Sequence, residues 1–319
     1  MAMLDMSLEE LVEYQGASPC PSDINEYWDR ALIEMESTKP EPIFVKAEFE
    51  IPGYEFYDMY FNGVRNGKIH CRFIKPDKTN GKVPAVLRFH GYTSYCGNWS
   101  ELLSYASLGY VVCAMDVRGQ GGESHDLNPV KGNTLHGHII RGLDDEDKDN
   151  LFFRQVYLDT AMVAKLVMEL DYVDENKVCV IGGSQGGALS VACAALVPQI
   201  AKAAFEYPFL CDFKRVWDMD MAERAYLDIK EYFREFDPMH EREDEIFYKL
   251  GYIDLQNISN RIKAECIMFT GMMDNVCPPS TQFAMYNKIK AEKQYRIFPD
   301  YGHEKLKKAN DIALQFLRF

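Results

Sequence analysis

The feature that most constrains this chain is the alternation of short apolar runs with longer segments of helical periodicity. The apolar runs lack the polar–apolar alternation of a half-exposed strand, which is typical of strands covered on both faces. Between most of them lie segments with apolar residues every three or four positions, which predict covering helices. The pattern therefore predicts an α/β fold with a mainly parallel sheet. The runs are PAVLRFH (84–90), YVVCAMDV (110–117), KVCVIGG (177–183), KAAFEYP (202–208), ECIMFTG (265–271) and KQYRIFP (293–299), and the helical segments are 98–108, 154–170, 185–196, 279–290 and 304–317.

The pattern before the first apolar run is different. Residues 43–50, 54–61 and 68–75 are β-rich or alternate, and the last of these follows an Asn66-Gly67 pair that is typical of a tight turn. Consecutive strands joined by short turns pair in the antiparallel sense. We therefore expect an antiparallel start to the sheet.

Two appendages and one long loop are expected around this core. Residues 1–45 predict an N-terminal helical arm whose apolar face packs on the main body or on a partner subunit. Residues 119–150 are rich in Gly, Asp and Asn and predict a long loop, whereas the aromatic and charged residues 209–263 predict a helical insertion that caps a site. With 319 residues, 47% of them hydrophobic, the chain 1–319 is expected to form a single domain.

Charge and cysteine content restrict the partners and the compartment. The formal net charge is −14 and the isoelectric point is about 5.0. Such an acidic surface repels nucleic acid and anionic lipid, so neither is expected as a partner, whereas neutral substrates are unaffected. The nine cysteines include no CxxC pair and several lie in apolar runs, which is typical of a reducing compartment. Without a signal-peptide pattern or a run of about eighteen apolar residues, a cytoplasmic protein is expected.

The strongest chemical motif is Gly182-Gly183-Ser184-Gln185-Gly186. It follows the strand VCVIG and precedes the helical segment ALSVACAAL, which is the strand–turn–helix context of a nucleophile elbow. The turn is so tight that larger side chains would clash beside the serine, and the helix N-terminus favours negative charge. The alternative is an ordinary glycine-rich turn with a capping serine. The context favours Ser184 as a nucleophile.

A serine hydroxyl needs a base and an acid, which follow it in the chain order Ser, Asp or Glu, His. Two histidines follow Ser184, and His303 is favoured over His240 because it comes after the last predicted strand. Asp274 follows the preceding strand and is the expected acid, which would hold the tautomer of His303. Asp300 is the alternative acid.

Two backbone amides are expected to form the oxyanion hole. One belongs to Gln185, directly after the nucleophile, and the other to Tyr92, in the loop after AVLRF. The Tyr92 ring would then stand beside the acyl group, with Pro208 and Phe209 as a second wall of the substrate pocket, which favours a small acyl chain. The alternative is that His90-Gly91 merely turns the chain.

Two further motifs indicate no cofactor and no metal. His136-Gly137-His138 has no third ligand at a telling distance, so a polar loop is the better interpretation. Gly119-Gln120-Gly121-Gly122 follows a strand but opens no clear helix, so it is not a dinucleotide-binding fingerprint.

Taken together, the RGQ element Arg118-Gly119-Gln120, the GGSQG motif around Ser184, Asp274 and the pair His303-Glu304 resemble carbohydrate esterase family 7, the acetyl xylan esterases and cephalosporin C deacetylases. The likeness covers nearly the whole chain. It implies an intracellular esterase with an α/β-hydrolase core that deacetylates acetylated xylo-oligosaccharides and cephalosporin C. It also implies a homo-oligomer, a ring-like hexamer built as a trimer of dimers, in which Arg118 and Gln120 shape the site.

Two other functions stay open at this point. A serine hydrolase of another bond, such as a peptidase or a thioesterase, would use the same catalytic residues. A non-catalytic binding protein of the same fold is disfavoured, because the nucleophile, acid, base and both oxyanion positions carry competent residues.

Overall fold

The computed structural model describes residues 4–319, and the described chain builds one mixed β-sheet covered by helices. The sheet has nine strands in the order β1-β2-β3-β5-β4-β6-β7-β8-β9. Along the chain they are β1 (Ile43–Lys46), β2 (Tyr54–Asn62), β3 (Lys68–Pro76), β4 (Val83–Phe89), β5 (Val111–Met115), β6 (Val173–Gly183), β7 (Lys202–Glu206), β8 (Glu265–Gly271) and β9 (Lys293–Phe298).

The strand directions confirm the predicted α/β architecture with an antiparallel start. Strands β1, β2, β3 and β5 pair in the antiparallel sense in that order. From β5 through β4, β6, β7 and β8 to β9, every pair is parallel. The carboxyl ends of the parallel strands therefore meet at one edge, where ligand sites of open α/β sheets form.

Helices cover both faces of the sheet. On one face, α3 and α10 pack over a smaller apolar cluster, while α2, α4, α5 and α9 pack over a larger one on the other face. The helices are α1 (Leu8–Leu11), α2 (Ile24–Ser37), α3 (Trp99–Ala106), α4 (Phe152–Met168), α5 (Gln185–Leu196), α6 (Phe213–Asp218), α7 (Leu227–Phe236), α8 (Glu243–Leu250), α9 (Pro279–Lys288) and α10 (Ala309–Phe316). Among residues 4–319, no helix combines the length and apolar character needed to span a bilayer.

The N-terminal arm packs on its own chain. Trp28 and Tyr27 of α2 are fully buried. The Trp28 indole donates a hydrogen bond to the carbonyl oxygen of Tyr252 at 3.1 Å, and the rings of Tyr27 and Tyr252 lie 4.6 Å apart. The apolar face of the arm therefore does not need a second subunit to cover it, and an oligomer cannot be argued from that face.

Two predicted elements were too long. The predicted strand 43–50 ends at Lys46, and Phe49 beyond it packs against Phe56 and Trp99. The predicted helix 304–317 begins only at Ala309, after Lys308 adopts a positive φ of 75°. The segment before Ala309 is a loop, which carries His303.

The insertion 209–263 is helical, as predicted, and contains α6, α7 and α8 between β7 and β8. It begins directly after the carboxyl end of β7, at the edge of the sheet where β6 ends next to it. The long loop 119–150 crosses the same edge and contacts the insertion, because the backbone N–H of His136 donates to Asp228 of α7.

Candidate active site

Ser184 lies in a strained turn between β6 and α5. Its φ of 55° and ψ of −119° are unfavourable for a residue with a side chain. A Cβ atom on Gly182 would come within 2.4 Å of the Gly186 backbone, and one on Gly186 within 2.1 Å of the Phe89 carbonyl oxygen. Glycine is thus required two residues before and two residues after Ser184, as the motif predicts for a nucleophile elbow.

The structure brings Ser184, His303 and Asp274 together in one hydrogen-bonded chain. His303 Nε2 lies 3.0 Å from Ser184 Oγ, and His303 Nδ1 lies 2.9 Å from Asp274 Oδ2. Such distances are those of a nucleophile, its base and an orienting acid. Asp300, by contrast, is exposed, and His240 packs against Trp217 in the insertion.

The carboxylate of Asp274 is held on both oxygens. It is fully buried, and its Oδ1 accepts hydrogen bonds from the backbone N–H groups of Val276 and Cys277 at 2.9 and 2.8 Å. Its Oδ2 is left for His303. Since a carboxylate that accepts several hydrogen bonds has little rotational freedom, this turn fixes the direction of the imidazole.

Tyr207 and Glu206 border the elbow, and the sequence analysis assigned them no role. The Tyr207 ring lies 4.7 Å from the His303 ring, and the Glu206 carbonyl oxygen accepts a hydrogen bond from Ser184 N at 3.0 Å. Burial raises the pKa of the Glu206 carboxyl to about 7. The signal that could have identified both residues is their position at the end of the strand next to the elbow strand.

A groove of about 610 Å³ opens beside the elbow, between α3 and α10. Gly183, Glu206, Tyr207 and Lys305 are among the residues that line it. The lining combines charged groups with aromatic rings, which suits a polar ligand with some apolar faces.

The two predicted oxyanion donors lie at the same edge of the sheet. Gln185 is the first residue of α5, where backbone N–H groups have no intrahelical acceptor, and Tyr92 follows β4. Within residues 4–319, neither the Tyr92 nor the Gln185 backbone N–H donates to a protein group. Both amides are therefore available to a ligand.

Gln120 of the RGQ element connects the two donor segments. Its Oε1 accepts hydrogen bonds from Thr93 N at 3.0 Å and from Gln185 Nε2 at 2.9 Å. Its Nε2 lies 2.7 Å from Gln185 Oε1. One side chain thus bonds both to the residue after Tyr92 and to the residue after Ser184, as expected for a group that shapes the site.

Arg118 of the same element acts further away. It is fully buried, and its guanidinium donates two hydrogen bonds to Asp159 at 2.7 and 2.6 Å and one to the Val64 carbonyl oxygen at 3.0 Å. Asp159 and Asp126 raise the pKa of Arg118, so it stays charged. Arg118 therefore attaches the start of the long loop to α4 without touching the site.

Pro208 and Phe209, the predicted second wall of the substrate pocket, do not face an open cleft. Phe209 is fully buried, and its ring lies 5.6 Å from the Tyr92 ring and 4.5 Å from the Tyr226 ring. Pro208 is buried as well. Phe209 thus supports the Tyr92 ring from behind instead of facing an open cleft, because the insertion covers it.

Two groups of potential metal ligands are engaged in protein contacts. His136 is exposed and pairs with Glu231 at 3.1 Å, while the neighbouring His138 contacts the Tyr92 hydroxyl, so the two imidazoles do not converge. The buried His70 lies 2.6 Å from Asp116, whose carboxylate also accepts the backbone N–H of Cys96. Both arrangements are explained by hydrogen bonds within the fold.

Comparison with known proteins identifies the family of the chain. The profile of the family described as acetyl xylan esterase (AXE1) matches residues 1–318. The crystal structure of acetyl xylan esterase 1 from Thermoanaerobacterium sp. JW/SL YS485 is 55% identical and superposes with a TM-score of 0.97 over 98% of both chains. An acetyl xylan esterase from Paenibacillus sp. R4 is 32% identical, with a TM-score of 0.93 over 98% of this chain and 99% of the other.

More distant relatives extend the comparison. The acetyl esterase Axe7A of Xylanibacter ruminicola is 27% identical over 307 residues, which are 93% of this chain and 67% of the relative. The α/β hydrolase GrgF from Penicillium sp. sh18 is 18% identical with a TM-score of 0.56, over 82% of this chain and 96% of the other, and it shows the fold alone. The chain therefore belongs to the acetyl xylan esterase (AXE1) family, has the α/β-hydrolase fold, and is a carboxylic ester hydrolase that acts on acetyl esters.

Proposed function

We propose that this esterase deacetylates small esters, such as acetylated xylo-oligosaccharides and cephalosporin C, through an acyl-enzyme on Ser184. The observation that carries the proposal is the hydrogen-bonded chain from Ser184 through His303 to Asp274, next to the two free amides of Tyr92 and Gln185.

In the first half of the reaction, His303 Nε2 takes the hydroxyl proton while Ser184 Oγ attacks the acetyl carbonyl carbon. The carbonyl oxygen becomes an oxyanion, which the amides of Tyr92 and Gln185 stabilise. The carbon–oxygen bond to the alcohol then breaks, and His303 gives its proton to the leaving oxygen. The alcohol departs and the acetyl group stays on Ser184.

In the second half, His303 takes a proton from water, and the resulting hydroxide equivalent attacks the acetyl-serine. The same amides stabilise the second oxyanion. When the bond to Ser184 breaks, His303 returns the proton to Oγ and acetate leaves. Asp274 stays ionised throughout and stabilises the imidazolium that forms twice.

The choice of substrate rests on charge, shape and relatives. The net charge of −14 disfavours anionic esters and leaves neutral sugar esters unaffected. We place the alcohol part of the ester in the polar groove whose lining includes Gly183, next to Ser184, and Tyr207, next to the His303 ring. Two of the matched structures are acetyl xylan esterases by name.

We also propose that the protein is cytoplasmic and forms a homo-oligomer, a hexamer by the same resemblance. Light scattering at micromolar concentration tests the oligomeric state.

The mechanism is tested with Ser184→Ala and p-nitrophenyl acetate. We expect a folded protein whose kcat has fallen by several orders of magnitude, because the acyl-enzyme can no longer form. Ser107→Ala, at an exposed serine of the same protein, is the matched control and should behave as wild type. Retention of more than a few per cent of the wild-type kcat in Ser184→Ala would refute the assignment.

The preference for acetyl groups is tested with p-nitrophenyl esters of two to eight carbons. Each buried methylene favours binding by about 0.8 kcal/mol in an open apolar pocket. A Tyr92 ring supported by Phe209 should exclude longer chains, so kcat/KM should fall steeply from acetate to butyrate. A rise with chain length contradicts acetyl specificity, and efficient cleavage of an aminoacyl anilide would favour a peptidase.

A further inference from the structure

The His136-Gly137-His138 segment, whose two imidazoles do not converge, contacts Tyr92. The Tyr92 hydroxyl accepts a hydrogen bond from His138 N at 2.8 Å and lies 3.2 Å from His138 Nδ1. Burial lowers the pKa of His138, so the ring is neutral and has one donor and one acceptor nitrogen. Because the Tyr92 hydroxyl oxygen accepts from His138 N, its own proton is free to be donated to Nδ1.

The His138 ring is itself tightly held. It stacks on Phe152, the first residue of α4, with ring centres 4.6 Å apart and planes at 28°. Its other edge faces the Tyr92 ring at 5.7 Å. Since the imidazole is packed against the rings of Phe152 and Tyr92, the Tyr92 hydroxyl meets an acceptor that cannot easily move.

Asp228 of α7 attaches this segment to the insertion. Asp228 is 3% exposed, and its Oδ1 accepts the backbone N–H of His136 at 3.2 Å. A Cβ atom on Gly137 would lie 2.3 Å from Asp228 Oδ2 and 2.5 Å from the Tyr92 hydroxyl oxygen. The backbone at Gly137 is therefore enclosed between the carboxylate and the tyrosine, which requires glycine there.

We propose that His138 is a positioning residue for Tyr92, and that Asp228 fixes the segment carrying His138, so that the insertion sets the oxyanion donor of the esterase. This inference rests on the proposed function, in which the Tyr92 amide stabilises the oxyanion. A tyrosine held at its hydroxyl has restricted side-chain and backbone torsions, and small displacements of an oxyanion donor lower the rate strongly. His138 touches no reacting atom and acts through Tyr92.

The test compares His138→Leu with His138→Asn on p-nitrophenyl acetate. Leucine removes the acceptor of the Tyr92 hydroxyl, whereas the Asn side-chain oxygen replaces Nδ1 as an acceptor. We expect His138→Leu to lower kcat about tenfold with KM changed less than twofold, and His138→Asn to recover most of the loss. His125→Leu, at an exposed histidine of the same loop, is the control and should match wild type.

A double variant separates positioning from general destabilisation. Tyr92→Phe removes this contact from the other side, together with the bond from His138 N, so Tyr92→Phe/His138→Leu should be no slower than the slower single variant. Losses that multiply, or a wild-type kcat in His138→Leu, would overturn the inference. If either of these results is found while Ser184→Ala is inactive, the proposed function stands and only the role of His138 is refuted. An active Ser184→Ala would refute both the proposed function and the role of His138.

The part of Asp228 is tested in the same way. Asp228→Asn keeps an oxygen for His136 N and should retain most of the wild-type kcat. Asp228→Leu removes that oxygen and should lower kcat at unchanged KM by several-fold. Equal kcat in Asp228→Leu and wild type would contradict the claim that Asp228 fixes the segment carrying His138.

Discussion

The elbow 182–186 and the long loop 119–150 both border the site, but different forces shape them. In the elbow, contacts between main-chain atoms determine the conformation, because a Cβ atom on Gly182 or Gly186 would clash with neighbouring main-chain atoms. In the loop, contacts with side chains distant in sequence determine the conformation. One of these side chains is Asp159, which binds Arg118 at the start of the loop across 41 residues of sequence. A local steric requirement leaves a short motif in the sequence, whereas a long-range ion pair leaves two ordinary charged residues.

The largest effect on kcat is expected at Asp274, a residue distant in sequence on which Ser184 of the elbow depends through His303. Asp274→Asn should lower kcat by about 10⁴-fold, because an amide in place of the carboxylate favours the wrong imidazole tautomer. The local geometry of the elbow alone would then be insufficient for activity. The measurement is kcat on p-nitrophenyl acetate, with Asp300→Asn as the matched control at an exposed aspartate.

We expect Asp300→Asn to stay within a few-fold of wild type. The Asp274 carboxylate contacts His303 at 2.9 Å, whereas Asp300 is exposed. The reverse ranking of the two variants would transfer the role of acid to Asp300.

The next effect concerns the long loop. Arg118→Met leaves Asp159 buried without its partner, and removing one member of a buried pair costs about 3–5 kcal/mol in the free energy of unfolding. Urea unfolding measures this loss. Lys82→Met breaks the exposed pair with Glu175, with side chains 51% and 50% exposed, and should leave the stability nearly unchanged, because solvent screens such a pair.

A poorly folding Arg118→Met leaves the prediction testable. Replacing both partners, in Arg118→Met/Asp159→Leu, removes the unpaired charge and should restore part of the stability. A single variant within about 1 kcal/mol of wild type, or a double variant less stable than the single one, would show that other contacts hold the loop.

A smaller effect is expected in the pH dependence of stability, through Glu206 beside the elbow. Burial raises the pKa of Glu206 from its ordinary 4.5 to about 7, against the opposing charge of Lys305. Between these two pH values the folded protein retains a proton that the unfolded chain releases, so stability falls as pH rises. At about 1.4 kcal/mol for each pH unit, the fall from Glu206 is at most about 3.5 kcal/mol.

Glu206→Gln should remove that part of the pH dependence. The free energy of unfolding is measured at pH 5 and pH 8 in wild type, in Glu206→Gln and in Glu292→Gln, whose carboxylate is exposed. The decrease between the two pH values should be smaller in Glu206→Gln than in the other two proteins. Equal decreases in all three would mean that Glu206 ionises in the folded protein as it does in water.

The same contrast explains how much the sequence could predict. Apolar runs and their order predicted the parallel strands, and the chain order of Ser184, Asp274 and His303 predicted three residues that the structure brings together. These signals are local or follow from the order of the elements along the chain. The site residues that sequence reasoning missed, Tyr207 and His138, act through ring packing and a single hydrogen bond, which produce no periodicity or motif.

The errors have physical causes too. Alternation in residues 43–50 arose from Phe49 packing on Trp99 and not from a continued strand. For the arm the sequence left two positions open, and the structure shows the first: its apolar face packs on the body of its own chain, because Trp28 finds both an apolar site and an acceptor at Tyr252. Neither partner of these contacts is near in sequence, so the pattern alone could not assign them.

The smallest effect is expected at Gln120, which belongs to the long loop and binds Gln185 of the elbow helix. Gln120→Ala removes the contacts to Thr93 N and to Gln185, each with a net contribution of about 1 kcal/mol. If these contacts align the amides after β4 and after Ser184, kcat should fall about tenfold at similar KM, because the ground-state ester does not use the oxyanion donors fully. Gln315→Ala, at an exposed glutamine of α10, is the control. A loss of stability with unchanged kcat would show that Gln120 joins the two regions without aligning them, and the elbow would then be independent of the loop that covers it.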